Sequence, residues 1–112
     1  MSDLVHTAVE HDGPRTTVIV TGDVDMATAP AVREALVLAR EAAPRLLVVE
    51  LTGVRFLASA GLAILAEAAQ GTQTAGSRMC VVAPHGGAPA RTLRITGLNT
   101  LFKVVDTVAQ AA

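Results

Sequence analysis

The chain has 112 residues, 51% of them hydrophobic and 17% charged, yet only Phe56 and Phe102 are aromatic, so its apolar content is almost all Ala, Val and Leu, enough for one core but not two. Nine Lys and Arg against ten Asp and Glu give a net charge of -1 with the signs interspersed, which leaves no basic stripe to neutralise phosphates and argues against a nucleic-acid partner. Mean hydropathy is +0.47, but every apolar run is broken well before the roughly 20 residues a bilayer-spanning helix needs, so no membrane insertion is expected.

Short β-branched runs alternate with longer Ala-rich ones along the chain, the pattern of one α/β domain. Leu4 to Val9 reads as a first strand, His11-Asp12-Gly13-Pro14 as a turn, and Thr16 to Thr21 as a second strand, together an antiparallel hairpin. Gly22-Asp23-Val24-Asp25 leaves the sheet, and Thr28 or Asp25 caps a helix that accepts Pro30 in its first turn and runs to about Glu41. Val32, Ala35, Leu36 and Ala39 follow the helical period and mark its buried face. Arg45 to Leu51 is a near-continuous apolar run, expected of a central strand covered on both faces, and Thr52-Gly53 ends it. A second helix starts near Ser59 and stops before Gly76. Arg78 to Ala83 is another buried strand, and Pro84-His85-Gly86-Gly87 is a loop before a short helix from Pro89 to about Ile95. Leu98 to Val105 holds a short edge strand, and Thr107 to Ala112 a final helical turn or two. Strand, helix and strand in one sheet imply parallel neighbours joined by crossovers, with functional groups at the carboxyl ends of the strands.

The loops at those ends are Gly22 to Thr28 and Phe56 to Gly61. Ser59 stands out in a small apolar setting, Leu57-Ala58-Ser59-Ala60-Gly61, and reads either as a plain helix N-cap or as a phosphoacceptor that a helix N-terminus would favour. A hydrolase nucleophile would need Gly two residues earlier, where Leu57 stands, and no acid is placed to orient His85 as its base. Asp23 and Asp25 read as turn and cap chemistry or as partner contacts, without a third metal ligand. Arg91 and Arg94 read as a solvated helix face, and no phosphate-binding glycine motif occurs. The one cysteine, Cys80, lies in the apolar run MCVVA and reads as a buried inert thiol. The first ten residues lack a basic n-region and an apolar h-region, so they do not read as a signal peptide, and a reducing cytoplasm is the expected compartment. No metal and no cofactor are expected.

Three stretches carry a family resemblance: residues 21–30 (TGDVDMATAP), residues 49–62 (VELTGVRFLASAGL) and Ile95-Thr96-Gly97-Leu98-Asn99. In this order, over nearly the whole chain, they resemble a STAS domain of the stand-alone anti-sigma factor antagonist type. The resemblance implies one domain over residues 1–112, with a central mixed, mostly parallel sheet of four to five strands and about four helices. It implies a protein that is not an enzyme and works by partner switching. The unphosphorylated form binds an anti-sigma factor that is also a serine kinase, freeing a sigma factor; phosphorylation ends the binding and a serine phosphatase restores it. Ser59 and Gly61 fall on the phosphoacceptor and the glycine of the family's Asp-Ser-Ser/Thr-Gly motif, while Ala58 replaces the aspartate and Ala60 the second hydroxyl. The partner-binding residues implied are Asp23, Asp25, Met26, Thr28, Leu57, Ala58, Ser59, Ala60, Gly61 and Leu62. The altered motif also keeps open a second resemblance, to the non-catalytic STAS subunit of a phospholipid-transport ABC complex. Phe56 and Phe102 are both expected to fill the core.

Overall fold

The computed structural model describes residues 5–111. Strand β1 (Val5–Asp12) turns at Gly13-Pro14 into β2 (Arg15–Val24), and the two pair antiparallel from Val5 opposite Gly22 to Asp12 opposite Arg15. The hairpin is therefore as expected but tighter: His11 and Asp12 pair within β1 rather than turning, and His11 Nδ1 lies 3.2 Å from Thr16 Oγ1 on the facing strand. Leu4, the expected first residue of this strand, lies outside the described residues. Helix α1 (Ala29–Glu41) follows with proline in its first turn, then β3 (Leu46–Leu57), α2 (Ser59–Thr74), β4 (Arg78–Val82), α3 (Ala88–Thr96) and β5 (Lys103–Val105). The sheet order is β1-β2-β3-β4-β5, and β2 to β5 pair parallel.

The expected mixed, mostly parallel α/β sheet is present with five strands; among the described residues the helices are three α-helices plus two 3-10 turns, Leu98–Thr100 and Val108–Gln110. The last of these is a single turn because its side chains close it at once. Gln110 Oε1 accepts from the Asp106 and Thr107 amides at 2.9 and 3.0 Å, half of a capping box with Thr107.

Two strand ends differ from expectation. β2 continues past Thr21 to Val24 and β3 past Leu51 to Leu57, because β3 carries two bulges: pairing skips from Ile19–Glu50 to Thr21–Gly53, and from Gly22–Val54 to Asp23–Phe56. Each bulge inserts one residue, so the inward positions of β3 become Leu51, Val54 and Leu57, three apart instead of two. Gly22, at φ 105°, takes a backbone conformation that suits glycine at the second bulge.

The main core lies between one sheet face and the helices, built from Val18, Val20, Leu47, Val49 and Val81 against Val32 and Leu36 of α1, Leu65 and Ala68 of α2 and Leu93 of α3. Each such aliphatic side chain contributes about 1.5–3 kcal/mol on burial. On the other face Leu46, Val48, Cys80 and Val82 cluster with Ala111, whose carbonyl accepts from Arg15 Nη2 at 2.8 Å. Both faces of the residue 45–51 run are thus covered, which is why it is apolar throughout. Phe102 is buried as expected; Phe56 is not, at 53% exposure. All four parallel strands end at one edge, where the Asp25, Ser59, His85 and Asp106 segments gather.

Candidate functional site

At that edge the β2–α1 loop is closed by its own side chains. Asp25 Oδ1 accepts from the amides of Ala27 at 2.9 Å and Thr28 at 3.0 Å; in return, Thr28 Oγ1 accepts from the Asp25 amide at 2.9 Å and donates to the Asp23 carbonyl at 2.8 Å. Asp25 and Thr28 therefore do both act at the helix entry, as a mutually bonded pair rather than as one capping residue. Met26, at the tip of this loop, is 83% exposed. Asp23 pairs with Arg55 across the bulge at 3.3 Å, Oδ1 to Nε.

The neighbouring β3–α2 junction is closed by backbone and packing instead. The Ala58 amide donates to the Val24 carbonyl at 2.8 Å, which fixes the strand exit. Gly61 is buried, and a Cβ there would fall 2.6 Å from Val24 Cγ1 and 2.7 Å from Leu57 Cδ1, so only glycine lets the first turn of α2 approach the ends of β2 and β3 this closely. The N-cap position is taken by Ala58 in extended conformation, with no side-chain cap. Ser59 is thus the first helical residue and not the cap that its position suggested; it is exposed, and its hydroxyl makes no hydrogen bond among the described residues. The Ser59 and Ala60 amides also have no acceptor there, leaving the positive end of α2 open next to a free hydroxyl.

The residues anticipated as partner contacts divide into two groups. Leu57, Thr28 and Gly61 are buried and shape the loops rather than offer side chains to a partner; Asp23, Asp25, Ala58, Ala60 and Leu62 are half-buried; Met26 and Ser59 are exposed. Phe56 joins the open group. It pairs in register with Asp23 at the strand end beside the Ser59 loop, and the bulge turns it out to solvent together with Arg55. Hydrophobicity alone assigns it to the core; the Thr-Gly at 52 and 53, an unusual pair inside a strand, is the signal that the alternation breaks before it. From Met26 and Ala60 an open groove of about 730 Å³ runs between α1 and α2, lined by the buried Ala29 and Ile64 and by Val37 and Leu38, the last 55% exposed. An ion pair, Arg33 Nη2 to Glu67 Oε2 at 2.7 Å, links the two helices. The hydrogen bond from Arg33 holds the Glu67 carboxyl below its usual range, and the same bond raises the Arg33 guanidinium.

Among the described residues neither a metal-binding group nor a histidine ring oriented by an acid accompanies Ser59. No group of three or more His, Cys, Asp or Glu able to hold a metal is found among the described residues. His85 meets Asp106 only through its backbone amide, so the acid does not orient its ring. No helix among the described residues is long and apolar enough to cross a membrane.

Residues 6–111 match the STAS domain family. The chain belongs to that family. The anti-sigma-F factor antagonist RsfB of Mycobacterium tuberculosis is 30% identical over 105 residues, which span 94% of this chain and 84% of that protein. A crystal structure of an anti-sigma factor antagonist from Mycobacterium paratuberculosis superposes with a TM-score of 0.88 at 35% identity, covering 97% of this chain and 92% of that one. The Bacillus cell fate determinant SpoIIAA in its phosphorylated form shares the STAS fold at 13% identity, with a TM-score of 0.67 and coverage of 94% and 95%.

Proposed function

We propose that this STAS protein, acting as one unit over residues 1–112, is an anti-sigma factor antagonist that binds a kinase-type anti-sigma factor and so releases a sigma factor. Phosphorylation of Ser59 switches the binding off. The observation that carries the reading is the exposed, unbonded Ser59 hydroxyl at the uncapped start of α2, between the Met26 loop and Phe56. The similarity to two mycobacterial antagonists at 30% and 35% identity supports it.

The docking surface runs from Phe56 and the Asp23–Met26 loop across Ser59 and Ala60 into the α1–α2 groove. It is made mainly of small and aliphatic groups, with Phe56 as its one aromatic anchor, which suits a modest affinity carried by few hot spots. In the switch, Ser59 Oγ gives its proton to a base of the kinase partner and bonds to the γ-phosphorus of the ATP held there, while the bond from that phosphorus to ADP breaks and ADP leaves. The new group adds about -1.5 to -2 charges at the exposed start of α2. A dianion there must be desolvated before any partner can close over it, so the complex dissociates. A serine phosphatase hydrolyses the phosphoester with water, releasing inorganic phosphate and restoring the hydroxyl. The protein itself is not an enzyme in this reading and works in the cytoplasm.

Incubation with the cognate anti-sigma factor and ATP should add one phosphate to the intact mass, while Ser59→Ala should gain none and stay bound. A wild-type protein that remains unmodified removes the switch, and co-purification with a lipid-transport ATPase in place of an anti-sigma factor removes the whole assignment. Phe56→Ala should weaken the complex roughly tenfold with no change in Tm, because the ring is more than half exposed in the free protein.

A further inference from the structure

The same edge of the sheet carries a second concavity that the docking surface leaves unused. A cleft of about 460 Å³ opens beside β5 and α3, a volume within the range of small-molecule sites. Its wall is apolar at Ala90 and Val104, and its polar lining includes Arg94 from the last turn of α3, Asn99 from the following 3-10 turn and Lys103 from the start of β5. The Arg33 and Arg55 guanidinium groups are ion-paired, but neither Arg94 nor Lys103 has an ion pair or a side-chain hydrogen bond among the described residues. The one acid in the lining, Asp106, accepts through Oδ1 from the amide of His85, another lining residue, at 2.8 Å. Two cations, Arg94 and Lys103, against one carboxylate, Asp106, leave this lining with one net positive charge in a chain whose net charge is -1. Such a pair raises the local concentration of anions, and a guanidinium fork beside an ammonium matches the oxygens of a phosphate or carboxylate.

We propose that this cleft binds a small organic anion, with Arg94 and Lys103 holding its phosphate or carboxylate group, Asn99 donating a further hydrogen bond and the Ala90–Val104 wall receiving its carbon skeleton. The site is separate from Ser59 and does not depend on the antagonist reading.

The test is an amide NMR titration of the whole chain at constant ionic strength with three probes: inorganic phosphate, glycerol 3-phosphate and succinate. Saturable shifts at Ala90, Asn99 and residues 103–105 are expected with at least one organic probe. Saturation by glycerol 3-phosphate alone assigns a phosphorylated ligand, by succinate alone a carboxylic one. Arg94→Gln with Lys103→Gln should weaken the binding roughly tenfold or more. Arg45→Gln with Arg78→Gln removes the same charge from exposed positions outside the cleft and should leave binding intact. Shifts that stay linear for all three probes, shifts confined to residues outside the cleft, or equal weakening in both double variants would overturn the proposal. Binding should persist in Ser59→Ala, which separates its failure from failure of the switch.

Discussion

Two strand-to-helix junctions stand side by side at the carboxyl edge of this sheet and are built in opposite ways. After β2, Asp25 and Thr28 satisfy the loop amides and each other, and the Ala29 amide donates to the Asp25 carbonyl at 2.8 Å. After β3 only Ala58 separates strand from helix, its amide held by Val24 and its carbonyl by the Gly61 and Leu62 amides, and no side chain caps α2. A junction closed by side chains has its hydrogen-bonding capacity filled. One closed by backbone and packing leaves a hydroxyl and two amides open for chemistry. Val24 joins the two, since its carbonyl accepts the Ala58 amide and its Cγ1 lies against Gly61. The closed junction is therefore the platform on which the open one is presented.

Gly61→Ala tests that platform most severely. Elsewhere in a helix the change gains stability, about 1 kcal/mol. Here the added methyl meets the buried, β-branched Val24, and the expected outcome is a loss of about 1–3 kcal/mol in urea unfolding, with slower phosphorylation of a displaced Ser59. A stabilised variant would break the argument that close approach sets the geometry of Ser59.

Asp25→Ala opens the closed junction. It removes the acceptor for two amides and should cost about 1–2 kcal/mol, while Ser59 remains a kinase substrate because the Ala58–Val24 bond is untouched. If the variant instead keeps full stability but loses the partner, Asp25 is a contact residue and the two junctions share one role. Met26→Ala provides the converse, weakening binding with no cost to folding, since the side chain is almost fully exposed.

Much of this contrast was legible in the sequence and part of it was not, for identifiable reasons. The hairpin, the three main helices and the covered central strand follow from periodicity and from Gly and Pro placement, because each is a local pattern with a matching burial face. The ends of β2 past Thr21 and of β3 past Leu51 escape the sequence reading because two bulges change the inward spacing to three residues, which no period-two reading detects. The same bulge accounts for Phe56, apolar by composition yet turned to solvent. The second helix does begin at Ser59, but the serine is its first residue and not its cap, since an extended Ala58 occupies the N-cap. The cleft at Arg94 and Lys103 left no trace in sequence at all, because the residues that meet there are nine apart along the chain and belong to different elements.

The smallest expected effect concerns the Arg33–Glu67 pair, which ties together the two helices that start at these junctions. Its hydrogen bond, aided by the charges of Arg33 and Arg40, lowers the Glu67 carboxyl in the folded chain. A depressed carboxyl contributes stability that is fully present above its unfolded value, near pH 4.3, and is lost as pH falls through the lower folded value. Both partners are open to solvent, so salt and water screen most of the attraction. Glu67→Gln should accordingly differ little from wild type at pH 7, with the difference shrinking to nothing as the pH is taken below the depressed Glu67 value and already reduced by 1 M salt. Thermal melts of the two proteins across that range give the answer. A large difference at pH 7, with α2 loosened from α1 in hydrogen exchange, would mean that the groove between the helices is held open by this pair and not by the packing of Val32, Leu36 and Leu65 beneath it.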